Sequence, residues 1–442
     1  MKGDLTKGSV TGSILLFAMP MILGNLLQQC YNLADAWIVG RYVSGDALAA
    51  VGSSFTLMTF LTSILLGLCM GGGAFFSIRF GRGDEKGLKE GILASFLLIA
   101  AITAVLNIAS FLLLDKIEVL LSVPAEVWDE MRAYLSVIFF GIAATFLYNY
   151  FASLLRAVGN STVPLIFLAV SAILNIALDL FFILILRRGV VGAAEATVIS
   201  QYVSALGLAL YTWLRFPTLR VKKEDLHVRM AHIREITGFS LLTCVQQSVM
   251  NLGILMVQGL VNSFGTAVMT ACAAAVKIDA FAYMPVQDFG NAFSTFIAQN
   301  YGAGKAERIR KGVKSAVLTA VIFCITVSAV VFIFARPLLS IFIDAGEHAI
   351  LDEGVRYLRI EGAFYVGIGL LFLLYGLYRA MARPGISVVL TVISLGTRVL
   401  LAYTLAPLFG VTMIWWALPI GWALADLAGF AYYTFGKKHL FT

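Results

Sequence analysis

Asp35 stands near the end of a long apolar run that starts at Ser13, within the stretch 25–40, NLLQQCYNLADAWIVG. A carboxylate held at membrane depth costs roughly 2.5–3.5 kcal/mol on insertion scales, so such residues usually mark a path for an ion, a proton or a substrate. Asn175 and Asp179 lie in a later apolar run, four residues apart and therefore on one face of a helix. Ala193 and Thr197 repeat that spacing in the run after it. Two carboxylates near each other in a poor solvent cannot both ionise cheaply, and a proton or a small cation bound between them relieves the repulsion. The bland alternative is that Asn175 and Asp179 bond each other and a neighbouring helix as interhelical glue.

A second group of charges sits in the later runs: Lys277, Asp279 and Asp288 in one, Glu361 in the next but one, Arg398 in the one after. Two readings stay open for it. Either Lys277 pairs with Asp288 or Glu361 as a buried structural ion pair, or Asp288, Glu361, Lys277 and Arg398, with Gln29 upstream of Asp35, handle substrate or protons. Asp426 and Glu195 are expected near span ends, reaching the interface. Pro20 and Pro285 interrupt backbone hydrogen bonding within their runs, and Pro20 is a hinge candidate; ordinary helix packing is the alternative. The four histidines (His227, His232, His348, His439) all fall in expected loops or the tail, which leaves no metal centre or nucleophile–base pair at depth and argues against an enzyme. The five cysteines show no ligand spacing and read as small packing residues. The run Gly71, Gly72, Gly73 lacks the Lys-Ser/Thr of a phosphate loop and is expected to let helices approach closely.

The elements that must position these residues follow from composition. The chain has 442 residues, 60% of them hydrophobic and 13% charged, with a mean hydropathy of +0.90. Soluble domains average about 25% charged, so most of this chain faces lipid. Apolar stretches near the ~20 residues needed to cross the hydrocarbon recur throughout. They predict an all-α integral membrane protein with twelve spans, near 13–38, 47–78, 91–114, 131–155, 162–186, 191–213, 236–262, 267–299, 315–343, 357–380, 386–409 and 411–435. No alternation of apolar and polar residues supports a β-barrel. The net charge of +7 is spread over short loops, which excludes a nucleic-acid reading. The loops after spans 2, 4, 6, 8 and 10 are basic, whereas 115–130 carries five carboxylates and 344–353 four. That bias puts both termini on the cytoplasmic side of a cell membrane. The N-terminus, with Lys2 and Lys7 before the first run, has no small-x-small cleavage site and reads as an uncleaved first span.

The sequence also repeats itself. Gly81-Arg-Gly, followed by Gly91-Ile92, matches Gly302-Ala-Gly followed by Gly312-Val313 at an offset of 221. Tyr134-Leu135 matches Tyr357-Leu358, and Arg156-Ala157 matches Arg379-Ala380, both at 223. Each half holds six spans, so both insert with the same orientation and handle substrate between them near mid-membrane. The expected domains are an N-terminal lobe over 1–213, a cytoplasmic linker over 214–235 and a C-terminal lobe over 236–442.

With Pro20 and Asp35 in its first span, the doubled glycine-rich loop, Leu155-Arg-Ala-Val-Gly-Asn-Ser after span 4, and Asn175 to Asp179 in span 5, the chain resembles the multidrug and toxic compound extrusion (MATE) family of cation-coupled antiporters over essentially its whole length. The resemblance implies two six-helix lobes forming a V-shaped cleft, and export of amphipathic, often cationic compounds against inward H⁺ or Na⁺. It also implies a cation site in the N-terminal lobe made by Asp35, Asp179, Asn175, Thr197 and Ala193, an all-oxygen set suited to Na⁺ and equally able to serve a proton, with Tyr134 joining the network. Some members carry a further site with an acid in span 7; span 7 here has none, and that site is not carried over. No cofactor is implied. The expected partners are small amphipathic substrates and the bilayer, with the chain acting as a monomer. The rival readings are a flippase for a lipid-linked precursor, which would want a strongly cationic cleft, and an exporter of a single metabolite.

Overall fold

The computed structural model describes residues 3–116, 127–226, 229–344 and 346–435. His227, His439 and most of the acidic stretch 115–130 lie outside them. Among the described residues there is no strand. Ten helices among the described residues are long and apolar enough to cross a membrane, and two bent pairs bring the number to twelve if each pair is one span. In chain order the elements are α1 (Val10–Tyr42), α2 (Gly45–Arg82), α3 (Glu85–Leu112), α4 (Trp128–Ile138), α5 (Gly141–Ala157), α6 (Thr162–Leu180), α7 (Gly189–Arg215), α8 (Met230–Asn262), α9 (Thr266–Gly302), α10 (Ala306–Ile333), α11 (Ala335–Leu339), α12 (His348–Gly362), α13 (Tyr365–Ala380), α14 (Pro384–Phe409) and α15 (Thr412–Phe435).

Spans 4 and 10, expected as continuous helices, are broken. α4 and α5 meet at 45°, α12 and α13 at 49°. Neither break contains a proline, which is why apolar periodicity did not expose them. The first break is stabilised from outside: the Asn107 side chain donates to the Phe139 carbonyl at 2.5 Å, and the Tyr202 hydroxyl to the Phe140 carbonyl at 2.9 Å. In hydrocarbon a helix break persists only where such donors replace the lost backbone bonds. Span 9 also ends earlier than expected, at Ile333, because Pro337 lacks an N–H and its ring cannot follow an unbroken helix; the short α11 takes its place.

The chain divides into two compact units, 1–4 with 23–244 and 5–22 with 245–442. The sequence places the change of lobe at the linker, whereas the units exchange inside α1, at Ile22/Leu23, and inside α8, at Cys244/Val245. In the first unit the cause is a set of contacts that hold the start of α8. A Cβ on Gly71 would lie 2.3 Å from the Phe239 carbonyl oxygen, so a glycine there permits the close approach expected from the run Gly71–Gly73. Arg79 pairs with Asp84 at 3.0 Å and with Glu235 at 2.5 Å. Glu90, buried in α3, accepts from the Arg229 backbone and side chain and from His232 Nδ1 at 2.8 Å. His232 is therefore not a loop residue: it lies in the first turn of α8 and is buried. His348 likewise opens α12. In the second unit the segment 5–8 is tied beside the α9–α10 turn, with Leu5 N–H on Gln299, Lys305 Nζ on the Thr6 carbonyl at 2.8 Å and Arg308 on the carbonyls of Leu5, Lys7 and Gly8.

The internal repeat is visible atom by atom. Gly83 and Gly304 both adopt left-handed φ, 72° and 68°, ending a helix in the way that favours glycine. Eight residues further on in each half, a glycine seats a phenylalanine ring: a Cβ on Gly91 would lie 2.3 Å from Phe75, and one on Gly312 2.5 Å from Phe296. An arginine covers each ring from a position that the repeat does not share, Arg79 before the turn at 5.0 Å and Arg308 after it at 5.3 Å. The turns after α5 and α13 also correspond, but there the halves differ: Gly159 has φ 84°, while Ala382 takes φ 59° with a side chain present.

Two outcomes follow. Ala382 bears a left-handed strain that costs an alanine about 1–2 kcal/mol, partly offset by the freedom glycine gains in the unfolded chain. Ala382→Gly is therefore expected to raise the melting temperature slightly, by about 1–3 °C, in a thermal melt of purified protein; a lowered value would contradict the strain. Partial burial works to raise the Asp84 carboxyl, but the Gly87 N–H and the Arg79 guanidinium outweigh it and hold Asp84 below the usual carboxylate range. Its stabilisation is complete above the unfolded pKa of about 3.9 and is lost as pH falls through the lower folded value. Asp84→Asn keeps a helix-capping side chain, so the gap in melting temperature between it and the native chain should be constant at neutral pH and close only in strong acid.

Candidate functional site

α1 brings Asp35, α4 brings Tyr134, α6 brings Asn175 and Asp179, and α7 brings Ala193 and Thr197, all within the first unit. One apolar cluster fixes their elements: Ile38 and Val39 of α1, Ala47 and Val51 of α2, Tyr134 and Ile138 of α4, and Val190, Ala193 and Ala194 of α7 pack together. Tyr134 and Ala193 are thus themselves part of the packing. Asn175 Nδ2 donates to Thr197 Oγ1 at 3.2 Å, joining α6 to α7. One turn on, Asp179 is fully buried. α6 then widens into a π-turn at Phe181–Ile185, in which the Leu186 N–H reaches the Phe181 carbonyl at 3.1 Å. Such turns recur at functional sites.

The Asp35 and Asp179 carboxylates approach each other, and Tyr134 lies within electrostatic reach of both. Their proximity is not a completed bond. Asp35 Oδ1, both oxygens of Asp179 and Asn175 Oδ1 are buried and meet no hydrogen-bond donor. The centre therefore gathers four acceptor oxygens without a donor. Buried acceptors left this way carry the full cost of lost hydration, and an added proton or a hard monovalent cation removes it. Asp35 is only half-buried, so the pair has a more accessible and a less accessible member. Tyr31, one helical turn before Asp35, also lies beside it; the sequence reading did not single it out, although the four-residue spacing was legible. Gln29 sits on α1, partly buried, six residues from Asp35 and so about 9 Å away along the axis.

The second unit gathers a different set than expected. Asp279 of α9 and Glu361 of α12 are buried together. The Tyr365 hydroxyl donates to Asp279 Oδ1, the Tyr357 hydroxyl lies beside both carboxylates, and Arg398 is close to both. Asp279 Oδ2, Glu361 Oε2 and Arg398 Nε remain without partners. Glu361 thus associates with Asp279, not with Lys277. Lys277 lies on an exposed face of α9 with Nζ 5.5 Å from the Phe342 ring, which removes the buried pair between Lys277 and either Asp288 or Glu361. The reason is periodicity: Lys277 and Asp279 are two residues apart and point to different sides of the helix. Asp288 is buried nine residues along α9, about 13 Å from Asp279. Tyr357 and Tyr365 were missed, although Tyr357 is the repeat counterpart of Tyr134. Glu195 pairs with Arg188 at 3.0 Å. Asp426, expected near a span end, is instead buried within α15, its Oδ1 without a partner.

Among the described residues no group of three or more His, Cys, Asp or Glu is arranged to hold a metal ion. The MatE family model matches this chain twice, over residues 20–181 and 241–404; the matches begin 221 residues apart, the offset of the glycine-rich repeat. Over 98% of its length the chain is 29% identical to the probable multidrug resistance protein YpnP of Bacillus subtilis, covering 97% of that protein. It is 24% identical to the multidrug export protein MepA of Staphylococcus aureus, covering 96% of this chain and 93% of that one. A solved structure, the outward-facing conformation of a multidrug resistance MATE family transporter of the MOP superfamily, superposes with a TM-score of 0.93 at 23% identity, covering 100% of this chain and 99% of that one. Two matches that together span well over half of the chain, at the spacing of its own repeat and on the same helical fold, make this chain a member of the MatE family of multidrug and toxic compound extrusion transporters.

Proposed function

We propose that the chain is a secondary antiporter that exports amphipathic, often cationic compounds in exchange for inward H⁺ or Na⁺, with Asp35 and Asp179 as the coupling pair. The observation that carries this reading is the centre of four buried acceptor oxygens with no donor. A proton or Na⁺ entering it neutralises one carboxylate charge and satisfies the unpaired oxygens. Asn175 and Thr197 complete the oxygen set with Ala193, and the Tyr134 hydroxyl lies within electrostatic reach of both carboxylates. The half-buried Asp35 is the entry point and Asp179 the deep acceptor. Binding of the ion from outside favours release of exported compound there, and loss of the ion to the cytoplasm restores the negative charge that attracts cationic cargo. One inward elementary charge contributes about 2.3 kcal/mol per 100 mV of membrane potential, enough to hold roughly a 50-fold gradient of a neutral compound.

The Asp279–Glu361 pair is a second centre at which a charge can be gained or lost, with Asp288, Arg398 and Gln29 as candidates for contact with cargo. Pro20 is the hinge candidate, and it lies two residues before the point at which α1 passes from one compact unit to the other. In this reading both termini lie in the cytoplasm, which the basic loops favour, and the chain works as a monomer in the plasma or inner membrane. A flippase for a pyrophosphate-linked lipid is disfavoured, because the groups around Asp35 and Asp179 are acidic or neutral.

Ethidium efflux from proteoliposomes under separately imposed H⁺ and Na⁺ gradients tests the proposal. The native chain should respond to one gradient, which names the ion, and Asp35→Asn and Asp179→Asn should each fall to the level of empty liposomes while keeping native yield and melting temperature. Gradient-driven efflux at the native rate in either variant would refute the pair assignment.

A further inference from the structure

A cavity of about 370 Å³ opens in the first unit between α3, α5, α7 and the segment that follows α7. It is lined by Phe96, Tyr150, Leu210 and Trp213 and closed at one end by Leu219 and Arg220. Its polar groups are spent on the protein itself. The Tyr150 hydroxyl donates to the Ile92 carbonyl at 2.6 Å, and Thr212 Oγ1 to the Leu208 carbonyl at 2.7 Å. Among the lining side chains Arg220 is the one that carries charge, and it keeps unspent donor capacity. Its Nε is given to the Trp213 carbonyl at 2.6 Å and its Nη2 to the Leu214 carbonyl at 3.2 Å, which holds the guanidinium 5.5 Å from the Trp213 ring. Nη1 has no partner among the described residues. The ligand chemistry is thus set: an apolar body inside and a single anionic group at Arg220.

The position says where such a ligand comes from. Leu210 and Trp213 line the cavity and are also 58% and 56% exposed, so it opens on the exposed apolar face of α7, a candidate span. Trp213 and Arg220 mark the level at which α7 ends and the polar segment begins, where interfacial aromatic residues and basic side chains sit. Arg215, Lys222 and Lys223 are exposed beside Arg220, against the two carboxylates of Glu224 and Asp225. At about 370 Å³ the cavity falls in the range of ordinary ligand pockets.

We propose that the cavity is a site for one anionic phospholipid of the bilayer, with an acyl chain between α3, α5 and α7 and its phosphate on Arg220. Basic pockets between membrane helices bind anionic headgroups in this manner. Leu219, Arg220 and Val221 belong to the segment that leads to α8, so the lipid fastens that segment to the first unit.

The test is a thermal melt of the purified full chain in dodecyl maltoside, titrated with phosphatidylglycerol, with phosphatidylcholine of the same chains and with inorganic phosphate. Phosphatidylglycerol should raise the melting temperature by roughly 3–5 °C, phosphatidylcholine by less and phosphate not at all. Ala209→Phe, which fills the cavity from α7, should abolish the response to both lipids. Arg220→Gln should leave phosphatidylglycerol no better than phosphatidylcholine. A full response to phosphatidylglycerol in Ala209→Phe, an equal response of the native chain to both lipids, or stabilisation by phosphate alone would each overturn the proposal; Ala209→Phe decides it even where Arg220→Gln does not fold.

Discussion

No water in the bilayer interior replaces a missing hydrogen-bond partner. That constraint explains why the described chain is helical throughout, and also where it departs from plain helix. The break between α4 and α5 exists because Asn107 and Tyr202 reach across from α3 and α7 to the carbonyls it frees. The same constraint gives the unpartnered oxygens around Asp35 and Asp179 their meaning. A soluble protein would hydrate them; here a proton or a small cation is the available remedy.

The two halves share a frame and differ in their chemistry. Both use a left-handed glycine at 83 and 304, a glycine under a phenylalanine ring at 91 and 312, and a bent fourth span. Each bent span presents a tyrosine just before its break, Tyr134 in one and Tyr357 in the other. Beside Tyr134 lie two carboxylates with an amide and a hydroxyl. Beside Tyr357 lie two carboxylates with a further tyrosine and an arginine, so the second centre already contains a cation and donors of its own. In the first centre no cationic side chain stands beside the carboxylates among the described residues, and both Asp179 oxygens go without a donor, which makes it the stronger candidate for capturing a cation from outside.

Much of this was legible in the sequence. Apolar run length predicted the helices, and the spacing of Asn175 and Asp179 predicted their shared face. The repeat offsets predicted equivalent turns, now seen at matching backbone angles. The rest depended on information that a one-dimensional pattern does not carry. The span breaks contain no proline and are held by distant side chains. Lys277 and Glu361 look complementary as charges but lie on different faces, whereas Asp279 was passed over because like charges seldom suggest a pair. His232 looked like a loop residue because the polar segment before it hides the start of α8, which Glu90 fixes from another helix. The exchange of units inside α1 and α8 likewise comes from close packing, not from composition.

The central claim is that Asp35 and Asp179 hold an ion that cargo displaces. Its most direct test is ion release on binding: ethidium is added to purified protein in weakly buffered detergent, while proton release is followed with a pH electrode and Na⁺ release with ²²Na⁺-loaded protein. The account predicts release of one of the two ions by the native chain and none by Asp179→Asn. Release of the same ion to the same extent by Asp179→Asn, with ethidium still bound, would contradict it.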